Sequence, residues 1–385
     1  MIDPVEIAHQ FDFPAIVSQV SAYGSGIIND TFVVTFANPP PFVHPRLGKR
    51  AILQGINSAV FPDPNLIMDN LAVVLEHAAN KDHEDLSEFI LPPIYKTRQG
   101  ASCFQDESKQ YWRAIGFIEN TVTSNILENI HQAREAGAAL GAFHQLLADI
   151  PVERLHDTLP GFHDTPEYLR RFDALLEAGV LATEPGLKVT GAKYLFSNER
   201  EIALCRDYCF EQIEKHRTLS NLLYDIQPAI SPRIMHGDPK LNNFLFDQDS
   251  GQAVSIIDLD TLKPGIIHYD LGDCVRSCCN KGGEMPSDIE AVRFDVDDFK
   301  HILEGYLSRA SKLFDTRDFD LLFDVVRLLP FELALRFFTD YLEGNRYFKV
   351  ETPHDNLYRA RVQLQLLSSI ESQENRLREV ISESQ

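Results

Sequence analysis

The stretch from Ile234 to Asp260, IMHGDPKLNNFLFDQDSGQAVSIIDLD, constrains this chain more than any other. It opens on an apolar entry, passes a polar loop and a short strand at Phe244–Phe246, and turns over Asp247–Gln252. A second strand, Ala253–Ile257, returns to an acidic end. The Asp, Ser and Gly residues of the turn are those that reverse a chain between strands. His236-Gly-Asp238 begins the loop, Asn243 follows five residues after the Asp, and Asp258 and Asp260 close the returning strand. A hairpin folded this way brings Asn243 and Asp258 together, with Asp238 on the same rim. Carboxylates joined by one amide oxygen form an oxygen-only set, which suits Mg²⁺ completing its shell with water and phosphate oxygens. The spacing H-x-D-x-x-x-x-N followed by a strand-borne Asp is the layout of phosphoryl-transfer catalytic loops. The bland alternative is a polar loop with carboxylates facing solvent. A lone HxD would leave that alternative ahead, whereas the full ordered set does not.

HGDPKLNNFLFD…IIDLD resembles the catalytic and metal segments of the aminoglycoside phosphotransferase/choline kinase superfamily, small-molecule kinases with a protein-kinase-like fold. The resemblance implies an α+β, bilobal chain with a small N-terminal antiparallel β-sheet lobe and a larger, mainly helical C-terminal lobe. Residues 1–119 would form the nucleotide-binding lobe, and 120–385 the lobe with the catalytic loop and acceptor pocket. By the same resemblance Asp238 is the catalytic base, Asn243 and Asp258 hold Mg²⁺, and Asp260 is a second-metal or supporting carboxylate. ATP is the implied co-substrate.

Size and composition are compatible with that reading. At 385 residues the chain is two or three domains or one bilobal enzyme, and 44% hydrophobic residues with 25 Phe supply a large core. The net charge, 36 − 57 = −21, makes a nucleic-acid backbone or an anionic membrane surface a poor partner. Mg²⁺ and a few local cations are enough to offset ATP phosphates. No apolar run approaches the ~18 residues of a spanning helix. The start, MIDPVEIAHQFDF, lacks the charged and apolar blocks of a signal peptide, so a cytoplasmic location is expected. The expected assembly is a monomer or weak homo-oligomer. Six cysteines without a CxxC pair predict reduced, partly buried thiols in preference to zinc or disulfides.

Val17 to Phe36 reads as strand, glycine turn, strand, with Gly24, Ser25 and Gly26 placed to let backbone N–H groups approach a phosphate. The next strand, AILQ, ends on Gln54 where protein kinases carry a phosphate-reaching Lys. Gln54 itself, Lys49 or Arg50, or Mg²⁺ alone would then meet the phosphate charge. A helix over Leu66–Ala79 carries Glu76, either the helix carboxylate that faces the phosphates or an exposed one. Tyr111–Ile118 reads as a buried strand running into Glu119-Asn120, whose backbone is placed to meet an adenine edge. A helix over Glu128–Leu147 carries His144, read as a packed or capping histidine. Further helices are predicted at Pro166–Glu177, Glu199–Arg217, Asp295–Phe314, Asp318–Glu343 and Thr352–Ser382. Asp270 and Asp273 read as caps of the helix that follows the catalytic hairpin.

A narrower resemblance covers most of the chain. GSGIINDTF, AILQGINSAVFPDP, FHDTP, IDLDT and RFFTDYLEGNRYFK are similar to segments of the bacterial N-acetylhexosamine 1-kinases, within which the Gln of AILQ is ordinary. Those enzymes transfer the γ-phosphoryl group of ATP to the anomeric hydroxyl of N-acetylglucosamine or N-acetylgalactosamine. The resemblance points to Arg336 and Tyr347 as sugar contacts beside Asp238. On one continuous helix they would lie about three turns apart on roughly one face. This chain departs from its relatives in having Ile27 where they carry a His, which leaves the preferred hexosamine open. Three rivals stand beside this reading. One is a kinase of the same superfamily for an aminoglycoside, amino alcohol or other sugar. Another is a silent nucleotide-binding scaffold, disfavoured because Asp238, Asn243 and Asp258 are all present. The third is a two-metal hydrolase, which lacks the usual histidines.

Overall fold

The computed structural model describes residues 3–24, 28–39, 44–81, 89–180, 196 and 198–385. A short helix, α1 (Pro4–Ala8), precedes strands β1 (Ile16–Ala22), β2 (Asp30–Ala37) and β3 (Arg50–Ile56). Helix α2 (Pro64–Asn80) follows, started by Asp63, whose carboxylate accepts from the Asn65 N–H at 3.1 Å, and by Pro64 in the first turn. Strands β4 (Ile94–Tyr95), β5 (Phe104–Gln105) and β6 (Tyr111–Gly116) complete an antiparallel sheet in the order β1-β2-β3-β6-β4, with β5 on β6. Its residues pack in two directions. Val34, Ala51, Leu53 and Ala114 join α1 in one core, while Ile56 packs with α2 residues Ile67, Leu71 and Val74.

The second lobe begins as the chain leaves the sheet, with β7 (Thr121–Val122) and α3 (Ile130–Leu147). Next come α4 (Thr165–Glu177), α5 (Glu199–Lys215), β8 (Arg233–Met235), β9 (Phe244–Asp247), β10 (Ala253–Ile256) and β11 (Lys263–Gly265). Helices α6 (His268–Cys278), α7 (Val296–Ala310), α8 (Thr316–Leu342), α9 (Asp355–Glu371) and α10 (Glu374–Glu383) end the chain. Strands β7, β9 and β10 form one small sheet, β8 and β11 another, all antiparallel. The fold is α+β and bilobal, a sheet lobe on a mainly helical lobe.

Helix α3 is the spine of the helical lobe, with its small residues against α7. Added Cβ atoms at Gly137 and Gly305 would collide with the backbone carbonyls of Ile302 and Arg134, so these two helices approach at backbone distance. The six cysteines are free thiols, five of them buried. No helix among the described residues is long and apolar enough to cross a membrane.

Two expectations are corrected. The helix predicted over Thr352–Ser382 is two helices, α9 and α10, parted at Ser372-Gln373. Helix α9 packs into both cores, Leu364 and Leu367 into one and Val362, Leu366 and Ile370 into the other, whereas α10 joins only the latter through Leu377 and Ile381. Helix α8 stops at Leu342, followed by Gly344 at φ 85° and Asn345 at φ 58°. Tyr347 therefore lies beyond the helix that carries Arg336.

Candidate active site

The catalytic-type loop is held from beneath by a residue read as a cap. Asp270 lies inside α6, and that helix has no side-chain cap. Its carboxylate accepts hydrogen bonds from the His236 N–H (2.6 Å) and the Gly237 N–H (2.7 Å). It also meets His144 Nε2 at 2.8 Å, while His144 Nδ1 lies 2.9 Å from the Tyr306 hydroxyl. His144 is thus a packed histidine, and Asp270 anchors the loop. Asp273 likewise does not cap, since it pairs with Arg276 at 2.7 Å. Gly237 sits at φ 89°, and a Cβ there would strike Thr261, so glycine is required at the turn. His236 accepts from the Asp238 N–H on Nδ1 (3.2 Å), so Nε2 carries the proton and donates to the Ile257 carbonyl (3.0 Å). Burial lowers the His236 pKa and keeps the ring neutral in that role.

Burial works to raise the Asp270 pKa, but the hydrogen bond from His144 and those from the backbone N–H groups of the loop outweigh it and bring it below the ordinary value. A depressed carboxyl contributes stability that is present above its unfolded pKa, ~3.9, and lost as pH falls through the folded pKa. Asp270→Ala should cost about 3–5 kcal/mol at neutral pH, because it leaves buried donors unmatched. In thermal melts the gap from wild type should close as pH drops below about 4.

Asp238 stands at the rim, its side chain about one-third exposed, with one carboxylate oxygen 2.5 Å from Lys240 Nζ. Lys240 was not singled out from the sequence, although its place two residues after the Asp was a usable signal. Burial works to lower its pKa, but the charges of Asp238, Asp258 and Asp273 outweigh that and raise it. The Asn243 amide donates to the Asp238 carbonyl at 2.8 Å, and the Asn243 carbonyl accepts from the Ile257 N–H at 2.9 Å. Those two bonds place Asn243 beside Asp258 and leave its side-chain oxygen free to act as a ligand. Asp258 takes the left-handed conformation, φ 68° and ψ 57°, which turns its carboxylate off the strand. Its pKa is raised by burial first and the adjacent Asp260 charge second, against the pull of Lys240 and Arg113. A carboxylate and an amide oxygen in a patch of excess negative charge fit Mg²⁺, which takes few protein ligands.

Asp260 does not belong to that pair. One of its oxygens is 2.5 Å from Arg113 Nη1, and the other accepts from the Asn29 amide at 2.8 Å. The metal role expected for it does not suit a carboxylate with both oxygens already engaged. Gln54 also faces a different partner, since its Oε1 accepts from Arg113 Nε (3.0 Å) and Nη2 (2.8 Å). Glu76 is exposed, 3.5 Å from Arg154. The Glu119 carboxylate is held by Arg50 at 2.6 Å, and its N–H donates to the Arg46 carbonyl at 2.8 Å. Only its backbone carbonyl is left for a nucleotide. Gly24, at φ 75°, begins the turn between β1 and β2, whereas Ser25, Gly26 and Ile27 lie outside the described residues.

A cavity lined by Phe162, Tyr168, Arg336, Asp340, Tyr347 and Phe348 opens on the helical side. The Arg336 guanidinium sits 5.0–5.6 Å from the ring centres of Phe162, Tyr168, Phe348 and Tyr347. Asp340 brings Tyr347 back to the cavity by accepting from the N–H groups of Arg346 and Tyr347 (2.8 Å each) and Phe348 (3.0 Å). Among the described residues no carboxylate lies within ion-pair distance of Arg336. Burial works to lower its pKa, but Tyr168, Tyr347, Glu332 and Asp238 raise it, so it stays charged. His163 joins the two halves of the site, with Nδ1 2.8 Å from Glu332 on α8 and Nε2 3.3 Å from the Gly237 carbonyl. The sequence marked its FHDTP motif without assigning that contact.

The profile of a phosphotransferase enzyme family matches residues 86–300, more than half of the chain. Among solved structures, the fold is similar to a spectinomycin phosphotransferase in complex with ADP and spectinomycin, with 10% identity over 95% of this chain and 96% of that one and a TM-score of 0.60. An aminoglycoside phosphotransferase from Alicyclobacillus acidocaldarius also scores 0.60, with 13% identity and 98% and 97% coverage. A microcompartment-associated aminopropanol kinase scores 0.55, with 16% identity and 97% and 98% coverage. At such identities the structures show a shared fold, and the family match adds the chemistry class. The chain belongs to this phosphotransferase enzyme family.

Proposed function

We propose that this phosphotransferase is an ATP-dependent kinase that phosphorylates the anomeric hydroxyl of an N-acetylhexosamine. The carrying observation is the charge of the acceptor cavity. The Asp340 carboxylate of its lining is taken up by backbone N–H groups and Asn356, and Glu343 pairs with Arg171. The Arg336 guanidinium, in contrast, stands in an aromatic cage with no carboxylate of the described residues in ion-pair reach, so a cationic acceptor entering there would meet repulsion from it at low dielectric. Aminopropanol and similar amines are such acceptors, although relatives named for them share the fold. A neutral sugar instead offers hydroxyl and amide oxygens to Arg336 and a ring face to Tyr347 or Phe348.

In this reading the sugar hydroxyl faces the Asp238 oxygen that Lys240 leaves free, and that carboxylate orients it and accepts its proton. The Lys240 ammonium lies where charge gathers on the transferring group. Asn243 and Asp258 would hold Mg²⁺, which supplies charge neutralisation on the phosphates. The turn beginning at Gly24, with Ser25 and Gly26, would cover the phosphates, and the Glu119 backbone carbonyl would meet the adenine edge. The division between lobes near residue 119 follows from the same reading.

The test is ADP release with Mg·ATP across N-acetylglucosamine, N-acetylgalactosamine, an aminoglycoside, aminopropanol and choline, with ³¹P NMR of the product. A sugar 1-phosphate is expected; turnover with amines alone would discard the sugar assignment. In the same assay Arg336→Met should raise the sugar KM about 10- to 100-fold, the value of a hydrogen bond to a charged donor, with a smaller change in kcat.

A further inference from the structure

The cation–carboxylate pair that protein-kinase-like enzymes set between β3 and the following helix has neither member here. Gln54 stands on β3, and Glu76 is exposed on α2. In its place the interior holds Arg113, directly across from Gln54 in the β3–β6 register and 2% exposed. Its guanidinium spans Gln54 Oε1 on one side and Asp260 on the other. The second Asp260 oxygen accepts from Asn29, five residues after Gly24, whose own amide oxygen accepts from the Asn57 N–H at 3.0 Å. The Asp260 carbonyl accepts from Thr158 Oγ1 at 2.7 Å. Arg113 and Asp260 together thus tie β3, β6, the residue before β2 and the helical lobe to the turn that carries Asp258.

We propose that Arg113, Asn29 and Asp260 form a latch that fixes the metal-binding turn against the start of β2 and the sheet, with Arg113 as a positioning residue. The latch rests on the reading of Asp258 as a metal ligand. Asp258 sits two residues from Asp260 in a left-handed conformation that a non-glycine residue keeps only when its surroundings hold it there. Asp260 supplies that hold through three bonds to three different elements. An arginine suits the task because its planar fork meets the amide oxygen and the carboxylate at once, which a lysine cannot do.

The test is calorimetric binding of a non-hydrolysable ATP analogue at a series of Mg²⁺ concentrations, which needs no acceptor sugar. Thermal melts run beside it check that each variant folds. Arg113→Met and Asp260→Asn are each expected to weaken Mg²⁺-dependent binding at least 10-fold, with Arg113→Lys in between. The double variant should bind no worse than the weaker single one, because both act through one contact. If Arg113→Met does not fold, Asn29→Ala, which removes no buried charge, is expected to weaken binding several-fold. Wild-type Mg²⁺ dependence in folded Arg113→Met or Asn29→Ala, beside weakened Asp258→Asn, overturns the latch and keeps the metal site. An unchanged Asp258→Asn removes the metal reading itself, and the latch with it.

Discussion

Asp238→Asn should lower kcat by about 10²–10⁴-fold, the usual contribution of a positioned general base, while the affinity for Mg·ATP stays within a few-fold of wild type. The substitution keeps the side-chain shape, so the fold of the loop should survive. Asp270, Thr261 and Asn243 hold that loop through its backbone, independently of the Asp238 carboxylate. What is lost is the acceptor for the hydroxyl proton, together with the charge that holds Lys240. The free Lys240 would then stand near the phosphates without its partner, so nucleotide binding should, if anything, tighten slightly. Single-turnover kinetics with a separate nucleotide titration divide the two effects. A variant losing ATP affinity in step with turnover would place Asp238 on the nucleotide, and the base would have to be sought elsewhere.

Asp258→Asn should damage both quantities, lowering turnover on the order of 10²–10³-fold and raising the Mg²⁺ concentration needed for half-maximal rate. In the proposed site Asn243 would contribute only an amide oxygen, so Asp258 would be the sole charged ligand of the pair. Removing it leaves a neutral set that competes poorly with water for a hard divalent ion. The isosteric amide is also expected to stabilise the metal-free fold. Asp258 lies half-buried beside Asp260, and the loss of water around its carboxylate, with the Asp260 charge second, raises its pKa. A higher melting temperature in EDTA, combined with a loss of Mg²⁺-dependent stabilisation, would be the paired signature. An unchanged Mg²⁺ requirement would move the metal away from this turn.

The sequence made the chemistry-bearing hairpin legible because its order carries its geometry. In HGDPKLNN and IIDLD the residues that converge lie within 23 positions of one another, just before and just after two paired strands. The strand–turn–strand at the N-terminus and the helices α2, α3, α4 and α8 were equally visible, since period and caps are local properties. What sequence could not assign was partnership. Asp270 looked like a cap because a capping Asp and an interior Asp share the same neighbours in sequence; only the return of β8 beside α6 gives it two backbone N–H groups. Tyr347 looked helical until Gly344 and Asn345 ended α8 and Asp340 folded the chain back.

Asp260 is the clearest case. By spacing it belongs with Asp258, yet the tertiary structure sets it against Arg113 and Asn29, which lie 147 and 231 residues away in the chain. The sequence by itself determined the set of groups available for phosphoryl transfer, which depends on local order, and its resemblance to known phosphotransferases implied the family and the two-lobed fold. The tertiary structure alone decided that Asp260 is taken up by Arg113 and Asn29 and that Arg336 stands in an aromatic cage without a carboxylate of the described residues in ion-pair reach. A side chain's charge acts over a few ångströms of space, and separation along the chain does not measure that distance.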